Sequence, residues 1–171
     1  MKLTKWLAVA ALSALIASPT AMATDLKDMQ VIGRALSFVE GGAKGDVTIA
    51  IVYADDAAGS KEEADAVAGI LGGGLKAGEV TMKPQVVSVS DLGSAGSAAA
   101  IFVPAGMAGH YGAIKGTGKL TLTTDQSCAE AGACVVSVQS SPKVEIVVNR
   151  SAASAASVSF AAAFRMMIKE I

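Results

Sequence analysis

Residues 119–150, KLTLTTDQSCAEAGACVVSVQSSPKVEIVVNR, constrain the fold more than any other part of the chain. Their pattern predicts three short strands, because KLTLT alternates polar and apolar residues while CVVSV and KVEIVVN are rich in β-branched residues. Ser140, Ser141 and Pro142 form the expected turn between the last two strands. Cys128 and Cys134 close a small loop between the first two. We therefore expect a rigid, cross-linked sheet edge.

Helix and strand patterns alternate along the rest of the chain. Apolar residues at three- and four-residue steps predict a helix over 25–40, and Ser60 is the expected N-cap of a second helix, which stops at Gly72. The remaining expected elements are strands over 46–54, 84–89, 98–103 and 120–123, short helices within 91–97 and 107–115, and a terminal helix with Phe160, Phe164, Met167, Ile168 and Ile171 on one side. This alternation predicts an α/β fold, a single three-layer domain with a mostly parallel central sheet and antiparallel edge strands.

The N-terminal residues 1–23 have the pattern of a signal peptide. Lys2 and Lys5 precede an apolar stretch over 7–17, and AMA at 21–23 is a small-x-small cleavage site. We expect cleavage after Ala23, export to a bacterial periplasm, and a single domain over 24–171. In that oxidising compartment the two cysteines of the chain are expected to form a disulfide.

Charge and hydropathy exclude two classes of partner. The chain has 14 basic residues, two of them in the predicted signal peptide, against 15 acidic residues. No basic stripe is left to neutralise phosphates, which argues against nucleic acid and against docking on anionic lipid. No stretch after the signal peptide is long and apolar enough for stable membrane insertion.

Candidate ligand-binding residues follow two of the predicted strands. Tyr53, Asp55 and Asp56 stand at the carboxyl end of the first strand, where open α/β sheets place their ligands. Such paired carboxylates suit a cation or an amine, and a solvated turn is the alternative. Gly106 and the nearby residues Gly109 and His110 belong to a strand-to-helix turn that could present backbone N–H groups to an anion. Close packing is the alternative for these glycines.

No residue set in the sequence indicates catalysis. His110 is the only histidine, and no serine lies in a G-x-S-x-G motif that would give it a nucleophile to activate. One histidine and two cysteines are too few ligands for a zinc site. We expect a non-enzymatic protein with no metal and no other cofactor. Asn149 is expected to cap the helix that follows it or to meet a carboxylate of a partner protein.

Three segments resemble the YfiR family of exported bacterial proteins, also called the domain-of-unknown-function 4154 group. They are IGRALSFVE at 32–40, LTLTTDQSCAEAGACVVSV at 120–138 and the closing residues 143–171. Ile146, Asn149 and Ala152 match the family's "INl..A" region, and Cys128 and Cys134 stand where the family's loop carries a cysteine pair. Residues 40–42 differ from the usual Trp-Pro of the family.

The resemblance implies a fold similar to half of a periplasmic solute-binding protein. It also implies a regulator that restrains a membrane-bound diguanylate cyclase by binding its periplasmic region, and thereby controls cyclic-di-GMP and biofilm formation. In such a regulator the disulfide is a candidate redox-sensitive element. A homodimer stays open as a second mode of association, and a small-molecule binder associated with a transporter or sensor is the alternative function.

Overall fold

An eight-stranded mixed sheet organises the computed structural model, which describes residues 23–171. The strands are β1 (Gly45–Tyr53), β2 (Leu75–Ala77), β3 (Val80–Ser88), β4 (Ala100–Phe102), β5 (Thr121–Thr123), β6 (Val136–Gln139), β7 (Glu145–Val148) and β8 (Lys169–Glu170), in the order β2-β3-β1-β4-β5-β6-β7-β8. The five strands from β3 to β6 in that order run parallel. The predicted signal peptide lies outside the described residues, apart from Ala23.

The ends of the sheet combine the two pairing modes. At one edge β2 is antiparallel to β3, while at the other β7 is antiparallel to β6 and the outermost strand, β8, is parallel to β7. The predicted mostly parallel α/β sheet is therefore confirmed. The predicted cross-linked edge is wrong in its position, because β5 and β6 flank the cysteine loop inside the sheet and β7 and β8 complete the edge.

Helical segments cover both faces of the sheet. They are α1 (Leu26–Ser37), α2 (Ser60–Leu71), α3 (Tyr111–Gly116), α4 (Gln126–Glu130), α5 (Arg150–Ala155) and α6 (Ala162–Arg165), with 3₁₀ segments at Val89–Ser97 and Ala108–His110. Buried residues of β1 alternate between the layers. Ile49 and Ile51 pack with α1 and α2, whereas Ala50 and Val52 face the layer that holds α3 and the two cysteines. The expected three layers follow from this alternation.

The N-termini of the first two helices are built differently. Asp25 caps α1 through a reciprocal capping box with Asp28. The expected capping role of Ser60 is wrong, because Gly59 is the N-cap and Ser60 is the first helical residue. The buried hydroxyl of Ser60 instead donates to the Ala54 carbonyl oxygen at 2.8 Å, which ties the start of α2 to the end of β1.

Among residues 23–171, we find no helix with the length and hydropathy of a membrane span.

The predicted terminal helix is also wrong. Only one helical turn, α6, forms there, and the chain then extends along β7 as β8. Val39 and Phe160 form an isolated antiparallel bridge, and Phe164 stacks on Phe38 with ring centroids 5.2 Å apart. The helix-like spacing of apolar residues therefore belongs to two separate structures. Phe160 and Phe164 pack against residues 38–39, which follow α1, and the residues after α6 extend the sheet.

Candidate functional site

An open cleft of about 500 Å³ lies at the carboxyl ends of β4, β5 and β6. Four segments line it: 23–28 at the start of α1, 105–106 after β4, 124–127 after β5, and 138–141 at the end of β6. Open α/β sheets place their ligands at this end of the parallel strands. The cleft is therefore the first candidate for a functional site in the described chain.

Two hydrogen bonds hold the start of α1 against the cleft. The hydroxyl groups of Thr24 and Thr124 are 2.7 Å apart, although the residues are separated by 100 positions. Thr24 also donates to Glu63 Oε1 at 2.6 Å, and Glu63 Oε2 accepts from the Ala105 backbone N–H at 2.9 Å. Glu63 in α2 therefore connects two walls of the cleft.

A third contact joins α1 to the turn after β6. The Ser140 backbone N–H donates to Asp28 Oδ1 at 2.9 Å, and Asp28 Oδ2 accepts from the Asp25 backbone N–H at 3.0 Å. Both oxygens of the buried Asp28 carboxylate are thus satisfied within the fold. In contrast, the buried Ser140 hydroxyl has no hydrogen-bond partner among residues 23–171.

The disulfide lies beside the cleft, in the layer opposite α1. Cys128 and Cys134 are bonded, with their Cα atoms 5.2 Å apart, which confirms the predicted pairing. Cys128 belongs to α4, whose N-cap is Asp125, a residue of the cleft wall. Both cysteines are fully buried. The bond therefore fixes the loop that follows β5, and solvent does not reach the sulfur atoms.

The residues singled out from the sequence are distributed over four places. Gly106 lines the cleft, with a positive φ of 80° that favours glycine. Asp56 and His110 lie together outside it, with Asp56 Oδ1 2.8 Å from His110 Nε2. Gly109 belongs to the 3₁₀ segment that contains His110.

Tyr53 and Asp55 are not among the residues that line the cleft. The Lys61 ammonium group lies 5.2 Å from the centre of the Tyr53 ring, at the end of β1. Asp55 is exposed in the following turn. A crevice formed by Tyr53, Asp55 and the glycine turn together is therefore not observed in the described chain.

Asn149 has its hydrogen-bonding groups engaged within the fold. Its side-chain oxygen caps α5 by accepting from the Ala152 backbone N–H at 2.8 Å, as expected. Its amide nitrogen donates to the Ala129 carbonyl oxygen at 2.9 Å. Asn149 therefore ties α5 to the cysteine-bearing α4, a contact that the sequence alone did not indicate.

Tyr111 lies near the wall of the cleft formed by residues 124–127. Burial raises the pKa of its phenol, and the negative charge of Asp125 adds to this, while a hydrogen bond with Ser127 acts in the opposite direction. The phenol is therefore neutral at physiological pH. It offers a hydroxyl group next to α4 and adds no charge.

A second candidate surface is formed by the end of the chain. The side chains of Met166, Met167 and Ile171 are 88%, 61% and 40% exposed, respectively. They flank β8, which pairs with β7 on one side and is the outermost strand of the sheet on the other. Exposed apolar side chains beside an open strand edge are typical of interaction surfaces. We call residues 166–171 the C-terminal surface.

Sequence comparisons do not assign the chain to a family. No protein-family model matches it, and no curated protein is detectably similar in sequence. Two solved structures share the fold, each at 13% identity over 85% of this chain. One is a conserved domain protein from Vibrio cholerae O1 biovar El Tor strain N16961, with a TM-score of 0.51. The other is the ABC domain in complex with L-Trp from Streptococcus pneumonia, with a TM-score of 0.52.

Both structures belong to longer chains, of which this chain covers 59%. At this level of identity the similarity shows the fold alone. The chain is therefore an α/β domain with the architecture of part of each of these two proteins.

Proposed function

We propose that this protein is an exported, non-enzymatic regulator that works by binding an inner-membrane signalling protein. The C-terminal surface carries the proposal, because Met166 and Met167 are large apolar side chains that face solvent in the described chain. Methionine is polarisable and adaptable, which suits contact with another protein. The resemblance to the YfiR family supplies the partner class, a diguanylate cyclase with a periplasmic region, and thereby a role in biofilm signalling.

The chemistry of the described residues favours binding over catalysis. Both cysteines are held in the disulfide, so neither offers a free thiol as a nucleophile. Among residues 23–171, no three histidine, cysteine, aspartate or glutamate side chains cluster as metal ligands. A regulator that acts by contact needs none of these groups.

Capture from inner membranes tests this proposal. The wild-type protein and the double variant M166Q/M167Q are cross-linked to solubilised membranes, and the captured proteins are identified. Both methionines are exposed, so glutamine preserves side-chain length and leaves the fold unchanged. We expect a transmembrane signalling protein with the wild type and much less of it with the variant. Val144→Thr, which alters another exposed apolar side chain, is the matched control.

The cleft supports a second function, the binding of a small polar solute for a transporter or a sensor. Its position at the carboxyl ends of parallel strands favours this role. The Streptococcus pneumonia domain of similar fold holds L-Trp, which adds support. A thermal-shift screen of small metabolites tests it. A bound solute raises Tm with a concentration dependence that mass action predicts, and a substitution in the cleft wall abolishes the shift.

A further inference from the structure

The sulfur atoms of the C-terminal surface form a modification site: we propose that Met166 and Met167 are oxidised reversibly to methionine sulfoxide, and that this change weakens partner binding. The inference rests on the first proposed function and names a way in which that contact is regulated. Its grounds are the exposure of the two side chains, the burial of every other sulfur atom in residues 23–171, and the position of the pair in a turn.

The sulfur-containing side chains of the described chain fall into two groups. Met166 and Met167 are 88% and 61% exposed. The others are fully buried, and they are Met29, Met82, Met107, Cys128 and Cys134. Met1 and Met22 lie outside the described residues. Because an oxidant in solution reaches exposed sulfur first, it reacts with the pair before it reaches the methionines of the core.

The disulfide does not compete for the same oxidant. Cys128 and Cys134 are already joined, and both are fully buried. Residues 23–171 contain no free cysteine, so no thiolate is left to form a sulfenic acid. The folded protein therefore meets a peroxide through its methionines, and a redox response does not require the disulfide to open.

The two methionines occupy the turn between α6 and β8. The segment is anchored on both sides of this turn. The Phe164 ring is buried before it, and after it the Ile171 backbone N–H donates to the Val148 carbonyl oxygen at 3.0 Å. The methionine side chains extend into solvent, so an added oxygen atom displaces no core residue. The oxidised protein therefore keeps its fold.

The reaction adds one oxygen atom to each thioether. Hydrogen peroxide transfers an oxygen atom to the sulfur, so the O–O bond breaks, an S–O bond forms and water leaves. The sulfur loses two electrons, and the peroxide gains them. A methionine sulfoxide reductase reverses the change, because two of its thiols supply two electrons and two protons, become a disulfide and release the oxygen as water. Both methionines are exposed, so a reductase can reach them.

Oxidation removes the property on which the proposed contact depends. A thioether is apolar and adaptable, whereas a sulfoxide is polar. Burying that polar group against an apolar partner removes its hydration without a replacement. Met166, Met167 and Ile171 are the large exposed apolar side chains of the C-terminal surface, and two of these three change together. We expect the Kd for the partner to rise by about tenfold or more.

Peroxide treatment of the folded protein, followed by peptide mass spectrometry, tests the site itself. We expect Met166 and Met167 to oxidise at least about tenfold faster than the three buried methionines, and a methionine sulfoxide reductase to restore them. Protein unfolded in urea is the control, because all of these methionines then oxidise at similar rates. Equal rates in the folded protein, or no sulfoxide at the pair, overturn the proposal.

Partner affinity is then measured for the reduced, the oxidised and the repaired protein. We expect binding about tenfold weaker after oxidation and full recovery after repair. The variant M166L/M167L has apolar side chains without sulfur at these positions, so peroxide treatment should not change its own affinity. Adding Val144→Met to that variant places an exposed methionine outside the C-terminal surface, and peroxide should again leave the affinity at its value before treatment.

The outcomes separate this inference from the proposed function. If oxidation leaves the affinity unchanged while M166Q/M167Q lowers it, the surface binds the partner and the oxidative control is overturned. If peroxide weakens M166L/M167L as much as the wild type, the effect comes from another site, which also overturns the proposal. If neither oxidation nor M166Q/M167Q changes the affinity, or no partner is captured, the proposed function and this inference are both overturned.

Discussion

The Asp28 carboxylate accepts a hydrogen bond of 2.9 Å from the backbone N–H of Ser140, a residue 112 positions later in the chain. Asp28 lies in the first turn of α1, and Ser140 follows β6. The contact joins the first helix to the far half of the sheet and shapes one wall of the cleft. Stability and the candidate site therefore share this residue pair.

Asp28→Asn removes one of the two carboxylate oxygens that accept from the backbone N–H groups of Asp25 and Ser140. The free energy of unfolding should fall by about 2 kcal/mol. The asparagine amide has one oxygen for one backbone N–H group and points its own N–H groups at the other. Urea denaturation measures the loss. Asp25→Asn is the control, since asparagine preserves the cap and should cost less than about 0.5 kcal/mol. Equal stability of the two variants would contradict the assigned role of Asp28.

Ser140→Ala should leave the free energy of unfolding unchanged or raise it by up to about 1 kcal/mol. The hydroxyl is buried without a partner in the described chain, so its removal relieves a desolvation cost. The same urea titration measures the effect. A loss greater than about 1 kcal/mol would show that the hydroxyl has a structural partner.

Replacing Cys128 and Cys134 by alanine should lower the free energy of unfolding by about 2–3 kcal/mol. The bond closes a short loop, and both residues are packed in the core, so local packing is lost as well. Because the sulfur atoms are buried, a reductant should act slowly on the folded protein. If the disulfide is redox-sensitive in the proposed sense, the double variant also loses affinity for its partner. Unchanged affinity would remove the redox hypothesis and leave a structural bond.

Phe164→Ala should lower the free energy of unfolding by about 3–5 kcal/mol, because the ring is 1% exposed and packs on Phe38 and Phe160. Chemical denaturation of this variant beside Met166→Ala provides the comparison. Met166 is 88% exposed, and its substitution should cost less than about 0.5 kcal/mol. If Phe164→Ala lowered the free energy of unfolding no more than Met166→Ala does, the C-terminal segment would not be anchored by the Phe164 ring.

The local pattern of apolar residues was enough to predict most strands of the sheet. Buried parallel strands are continuous apolar runs, so β1 and β4 stand out, and β5 to β7 follow from alternation and β-branched residues. The hairpin of β2 and β3 was missed, and the predicted strand over 84–89 began late, because the turn depends on a remote contact. Gly78 adopts a positive φ of 63° there, and the Glu79 backbone N–H donates to the Ser37 hydroxyl at the end of α1.

The cleft could not be predicted in the same way. Its walls bring together segments 100 or more residues apart, and the contacts of Thr24 with Thr124 and of Asp28 with Ser140 have no local signature. One signal was available, because the Asp125-Gln-Ser sequence suits the N-cap of a short helix in the cysteine loop. Similarly, helical spacing near the C-terminus could not reveal that β7 leaves an edge for β8 to cover.

The proposed regulator acts through contact between its C-terminal surface and a membrane signalling protein. The most direct test is the dissociation constant between this protein and the purified periplasmic region of the captured partner. M166Q/M167Q should raise the Kd by about tenfold or more, while Val144→Thr leaves it unchanged. Equal constants for the wild type and M166Q/M167Q would contradict the claim.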